Sequence, residues 1–246
     1  MNRHAQRVQN RVNTAWGKAV YGMQQMEQAA VVRPTDAYEI FRVDADAPDE
    51  VVKLNVGPIV FNVPERANRG RSDLYIVVEG WLVFEGDFSQ NAPLKTQNYG
   101  TNIGYFKQKG TDLEHVYGAH YDMDEGRFGH PVFHAQIGAQ LDMSQAVRDR
   151  FHLDLNVVPK MGSILGNVRT PSAQMDVFAV MIQICADHLV GQNSANEVRT
   201  AFTELRSASD FLVGAAHRLA YLNQPLPANC YQSRHWYESP QANAVA

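Results

Sequence analysis

Hydrophobic residues recur at three- and four-residue steps near the start of the chain, at two-residue steps through its middle, and at helical spacing again towards its end. Val8, Val12, Ala15, Trp16, Ala19, Val20, Met23 and Met26 fall on one face of a helix predicted over residues 5–30. Arg3, Arg7 and Arg11 lie on or near the other side. The apolar face serves either to pack the helix on a sheet or, given Trp16, Met23 and Met26, to meet a protein partner. A linker with Pro34 occupies 31–35. Period-two alternation then predicts strands at 38–44, at 51–63 with an interruption at Gly57 and Pro58, at 74–84 with a bulge or bend at Gly80, and at 94–109. A hairpin follows. Beyond it the pattern gives a short helix to 151, a strand over 152–158, and three helices. The first runs from near Pro171 to Val190, the second from a Ser194/Glu197 capping box to about Ala208, and the third from Ser209 or Asp210 to Leu222.

Strands in sequence followed by a run of helices imply an α+β fold: a mostly antiparallel β-sheet of about six or seven strands, one N-terminal helix and about three C-terminal helices. The expected parts are an amphipathic helix at 1–30, the β domain at 36–160, helices packed on the sheet at 170–222, and an extended tail at 223–246 carrying His235, Trp236 and Tyr237.

Polar chemistry concentrates in the hairpin between His115 and Leu141. Tyr117, Ala119, Tyr121 and Met123 share one face of its first strand, and Gly118, His120 and Asp122 share the other. In the second strand Pro131, Phe133, Ala135 and Ile137 alternate with His130, Val132, His134 and Gln136. A loop from Glu125 to Gly129 puts like faces together and pairs Asp124 with His130, Asp122 with Val132, His120 with His134, and Gly118 with Gln136. Opposed side chains in such pairs are roughly 5 Å apart at Cβ. A shorter loop would instead set His130 opposite Asp122 and His134 opposite Gly118. Either register keeps the polar set together. Pro131 cannot donate to a ladder, so it marks an edge or a strand start.

Neutral imidazole with a carboxylate binds transition metals, which makes His120, His134 and Asp122 candidate ligands of a divalent metal ion. The same three residues are candidate catalytic groups, because paired imidazoles can act as acid and base on a phosphodiester. His130 and Gln136 would position substrate. Arg169, expected just before a helix N-terminus, would steady a phosphate there or bond loop carbonyls. The plainer alternative is a hydrogen-bonded histidine cluster on a half-buried sheet face. Tyr75, Trp81, Tyr99, Tyr105 and Phe106 could line a small-molecule pocket or form ordinary sheet core.

Composition narrows the field a little. The 246 residues carry a formal net charge of −4, so bulk charge does not argue for nucleic-acid binding. The loop with Arg66, Arg69 and Arg71 is the one local basic run near the strands. Two cysteines, Cys185 and Cys230, are no disulfide framework and fit a reducing cytoplasm. No run has the length of a membrane span, and no apolar leader follows the first charges.

The segment G-H-P-V-F-H-A-Q-I-G after A-H-Y-D, followed by R-T-P-S-A-Q-M-D and an apolar helix, resembles a family of small uncharacterised bacterial proteins. The resemblance covers roughly 105–189. Its layout is similar to that of small β-sheet toxins of toxin–antitoxin pairs, which carry paired histidines on adjacent strands. It implies a nuclease-like or defence-associated role. Two functions follow as expectations. One is a phosphoester hydrolase acting on nucleic acid through the His/Asp cluster. The other is a non-catalytic subunit of a multiprotein complex, such as one of antiviral defence, that meets its protein partner through the N-terminal helix or the C-terminal tail.

Overall fold

The computed structural model describes residues 3–26, 31–44, 51–64, 73–85, 88, 94–109, 112–123, 133–138, 168–190 and 194–213. Within them, helix α1 (Arg3–Met26) precedes strand β1 (Val31–Arg33), the short helix α2 (Ala37–Ile40) and strand β2 (Phe41–Val43). Strands β3 (Val51–Pro64), β4 (Asp73–Glu85), β5 (Lys95–Lys109), β6 (Asp112–Met123), β7 (Phe133–Ile137) and β8 (Arg169–Pro171) follow. Helix α3 (Val177–Ile184) runs into a π-helical turn, Cys185–Leu189, and helix α4 (Asn196–Val213) comes last.

All eight strands join one antiparallel sheet, in the order β1-β3-β4-β5-β6-β7-β8, with β2 beside β1 on the outer side of β3. The α+β expectation is met. The linker expected at 31–35 instead contributes β1, and the strand expected at 38–44 begins as a helical turn. The Asp36 carboxylate accepts from Tyr38 N, which starts α2 before the chain straightens into β2. Gly57 and Pro58 do mark an irregularity, a register shift between Val56 and Ile59. Gly80 lies at the edge of that irregularity, opposite Val56 on the β3 side, while on the β5 side it pairs with Thr101 without a shift. The strands pass so closely there that a Cβ on Gly80 would collide with the Gly100 carbonyl oxygen.

Alternation along the strands builds the core. Leu54, Val56, Ile59 and Phe61 of β3, Ile76, Val78, Leu82 and Phe84 of β4, Tyr99 and Ile103 of β5, Ala119 and Met123 of β6, and Phe133 of β7 point to one side. Val8, Val12, Trp16, Ala19 and Met23 of α1 and Val177, Phe178, Val180, Met181 and Ile184 of α3 meet them. Trp16 is buried, lies 5.5 Å from the Phe41 ring, and donates its indole N–H to Thr35 O at 2.9 Å. Trp16, Met23 and Met26 are therefore taken up inside the molecule, which removes the reading of that face as a partner surface.

Two helix boundaries also differ from expectation. The helix foreseen near Pro171 starts at Val177, because the buried Asp176 caps it by accepting from Phe178 N and Ala179 N. Pro171 closes β8 instead. No break falls between Ala208 and Ser209, since α4 is continuous to Val213. Residues 214–222, the tail, the helix and strand expected over 144–158, and the loop with Arg66, Arg69 and Arg71 lie outside the described residues. Among the described residues no helix is long and apolar enough to cross a membrane.

Candidate functional site

The hairpin strands form as expected, with a different register. Asp122 stands opposite His134, His120 opposite Gln136, and Met123 opposite Phe133. This is a two-residue displacement from the pairing of His120 with His134. The described return strand begins at Phe133, past Pro131, whose nitrogen has no hydrogen to give a ladder. A displacement by two preserves every face, so the polar set stays together while its partners change. His130 lies outside the described residues.

The sheet extends this set on both sides. β5 places Asn102 opposite His120, and β4 places Glu79 opposite Asn102. On the far side, Gln136 faces Arg169 of β8. Arg169 thus sits in a strand and not at a helix N-terminus, because α3 starts eight residues later. Five residues, Glu79, Asn102, His120, Gln136 and Arg169, share one row across five strands. Within the row, Glu79, Asn102, His120 and Gln136 lie on the side of the sheet opposite α1 and α3, since His120 and Asp122 alternate with the core-facing Ala119 and Met123.

Contacts within the site run from one residue to the next. His120 Nδ1 is 2.7 Å from Asn102 Oδ1, and its Nε2 is 3.2 Å from Asp122 Oδ2. The other Asp122 oxygen, Oδ1, is 2.7 Å from His134 Nδ1. The His134 side chain is fully buried, while those of His120 and Asp122 are 27% and 26% exposed. Asn102 also bonds Glu79. A chain Glu79–Asn102–His120–Asp122–His134 therefore crosses β4 to β7. Beside it, Gly100 pairs with both Asp122 and Trp81. A Cβ on Gly100 would lie 2.7 Å from Trp81 Nε1, so the missing side chain leaves the space that the indole occupies.

Electrostatics follows from these contacts. Burial by itself would push the Asp122 carboxyl up. Hydrogen bonds from His120 and His134, and their charge, outweigh it and hold Asp122 well below the usual carboxylate range. Glu79 moves the other way: burial raises it, against a smaller opposing effect of the Asn102 hydrogen bond. His115, in the same stretch of sequence, is separate. It lies buried 4.8 Å from the Phe106 ring, and burial lowers its pKa.

The arrangement constrains the chemistry. Both ring nitrogens of His120 face oxygen acceptors, and both oxygens of Asp122 face imidazoles. A general base needs a ring nitrogen or carboxylate oxygen free to meet the proton it takes. Metal ligands converge on a common point, whereas these two imidazoles are turned on one carboxylate. Among the described residues no group of three or more His, Cys, Asp or Glu is placed to hold a metal ion.

Asn102 and Glu79 escaped sequence reasoning. Lys109 pairs with Asp112, and counting back from that tight reversal would set Asn102 opposite Ala119, on the wrong face. A register shift between Tyr105 and Phe106 moves Asn102 opposite His120. The candidate pocket aromatics divide between the faces: Tyr99 is core, Phe106 is buried against His115, and Tyr105 packs 5.5 Å from Tyr117. No protein-family model, curated protein or solved structure matches the chain.

Proposed function

We propose that this protein acts by binding, as a non-catalytic subunit of a larger assembly, and that the Glu79–Asn102–His120–Asp122–His134 chain is a strut that fixes four strands in register. One observation carries the reading: the polar atoms of His120 and Asp122 are spent on neighbours within the chain, and His134 is fully buried. Groups turned on one another in this way hold strands in register and leave little for a substrate. The similarity in layout to small β-sheet toxins would make a toxin–antitoxin or antiviral complex the setting.

A phosphoester hydrolase is the second reading. It is favoured by the partial exposure of His120 and by the placing of Arg169 in the same row, one strand beyond Gln136. In that case His120 would have to release Asp122 or Asn102 when substrate arrives. The test is a cleavage assay on RNA and DNA together with elemental mass spectrometry, on wild type, His120→Ala and His134→Ala. A strut predicts no cleavage, no stoichiometric metal, and a lowered melting temperature for His134→Ala. Cleavage or bound metal that disappears in His120→Ala at an unchanged melting temperature would overturn it in favour of the hydrolase.

A further inference from the structure

Helix α1 buries one face and leaves the other in solvent, and that outer face is unusual. From Arg3 to Met26 it contains no acidic residue. Gly17 sits near the middle of the helix, exposed, with nothing within 4 Å of where its Cβ would be. Glycine in an exposed helix interior costs about 1 kcal/mol relative to alanine. Among the described residues nothing packs against it. A glycine there lets another protein surface approach the helix backbone.

Alongside it lies a groove. Helices α1 and α4 pack closely where Gly22 meets Ala201; a Cβ on Gly22 would be 3.2 Å from Ala201 O. The groove, of about 440 Å³, lies towards Thr14 on α1 and Ser207 on α4. Lys18 and Tyr21 line one wall and Thr203 and Glu204 the other. Tyr21 is 60% exposed, one of the few large apolar side chains left so among the described residues. Thr14 and Thr203 return their hydroxyls to Asn10 O and Arg199 O on their own helices. Among the described residues neither Lys18 nor Glu204 is ion-paired.

We propose that this groove is a self-association surface and that its occupant is a second copy of the chain. The argument is charge complementarity. A cation on one wall and an anion on the other make a surface that matches itself under a two-fold rotation. Lys18 of each copy then meets Glu204 of the other, with the Tyr21 rings packed between. Of the groove's lining only the exposed Tyr21 is of a type enriched in interfaces, so specificity falls to the two charges. The groove is on the helix side of the sheet, away from the histidine network, so the proposal stands whether or not that network is a strut.

Sedimentation velocity over a concentration series tests it, on the full chain. Wild type is expected to dimerise. Lys18→Glu and Glu204→Lys are each expected to weaken the dimer about tenfold or more, since each sets like charges together. The Lys18→Glu/Glu204→Lys double variant, with the charges exchanged, is expected to dimerise again. Both substituted positions are exposed, and circular dichroism melting checks that each variant is folded. A monomeric wild type overturns the proposal. So does a dimer that the single variants leave intact, or one that the double variant fails to restore.

Discussion

Asp122 and His115 lie seven positions apart on one strand, and each makes stability depend on pH in a different window. Asp122 has a depressed folded-state pKa. Its stabilisation is complete above the unfolded carboxylate value of about 4 and is lost as pH falls below that value. His115 also has a depressed pKa, because the charged ring is disfavoured where it lies. Its protonation penalises the native state once pH drops below the unfolded histidine value of about 6.5. Asp122→Asn is therefore expected to cost about 1–3 kcal/mol at pH 7, from the weakened hold on two imidazoles, and to flatten the loss of stability below pH 4. His115→Phe, which keeps a ring beside Phe106, is expected to flatten the loss between pH 6.5 and 5 and leave the lower window alone. Urea unfolding midpoints from pH 7 to pH 2.5 would separate the two; a steep loss between pH 6.5 and 5 that survives in His115→Phe would remove His115 from the account. The grouping of His120, Asp122, His134 and Gln136 was legible because strand side chains alternate, and alternation survives a slip of two residues. Which of them touch was not legible. Contact depends on where pairing starts after Pro131, and no periodicity records that.

Elements were legible where their apolar pattern was long, as in α1, β3 and β4. They were misjudged where a single polar side chain sets the boundary. Asp176 is the clearest case. The sequence offers Pro171 as a helix start, but Asp176 is buried and accepts from two backbone N–H groups, so the first turn of α3 forms there. The five residues between Pro171 and Val177 are in neither helix nor strand, and Met175 N donates to Tyr99 OH at 2.9 Å, which ties this segment to the sheet. Asp176→Ala is expected to cost about 1–2 kcal/mol and to speed hydrogen exchange at Phe178 and Ala179 before the rest of α3. Uniform exchange along α3 would mean that the cap is not what starts it. Ser209 and Asp210 mislead in the opposite direction: cap residues in sequence, they lie within a continuous α4. Gly80 was legible as marking an irregularity, which falls on its β3 side; the close approach on its β5 side was not legible. The strands press together there, so Gly80→Ala is expected to cost about 1–3 kcal/mol or more by forcing β4 and β5 apart. A variant as stable as wild type in urea would show that the strands can yield.

For the molecule as a whole, the question is whether α1 belongs to the core or is an arm held for a partner. Both were open from the sequence, because an amphipathic helix with tryptophan and methionines fits either. Burial decides between them. Val8, Val12, Trp16, Ala19, Met23 and Met26 are all within a few per cent of complete burial, and they meet strands β1 to β3 as well as α4. Each large apolar side chain so buried contributes about 1.5–3 kcal/mol. The face as a whole thus rivals the total stability of an ordinary domain, about 5–15 kcal/mol. A chain beginning at residue 27 is therefore expected to lose its cooperative thermal transition and to bind a hydrophobic dye, as collapsed but loosely packed chains do. Adding α1 back as a peptide should restore part of the transition, since the sheet would regain the surface it lacks. A truncated chain that melts cooperatively near the wild-type temperature would mean that α1 is an accessory to the sheet. The self-association surface would then belong to a detachable arm, whereas burial of one α1 face beneath the groove makes the dimer interface and the core two sides of the same helix.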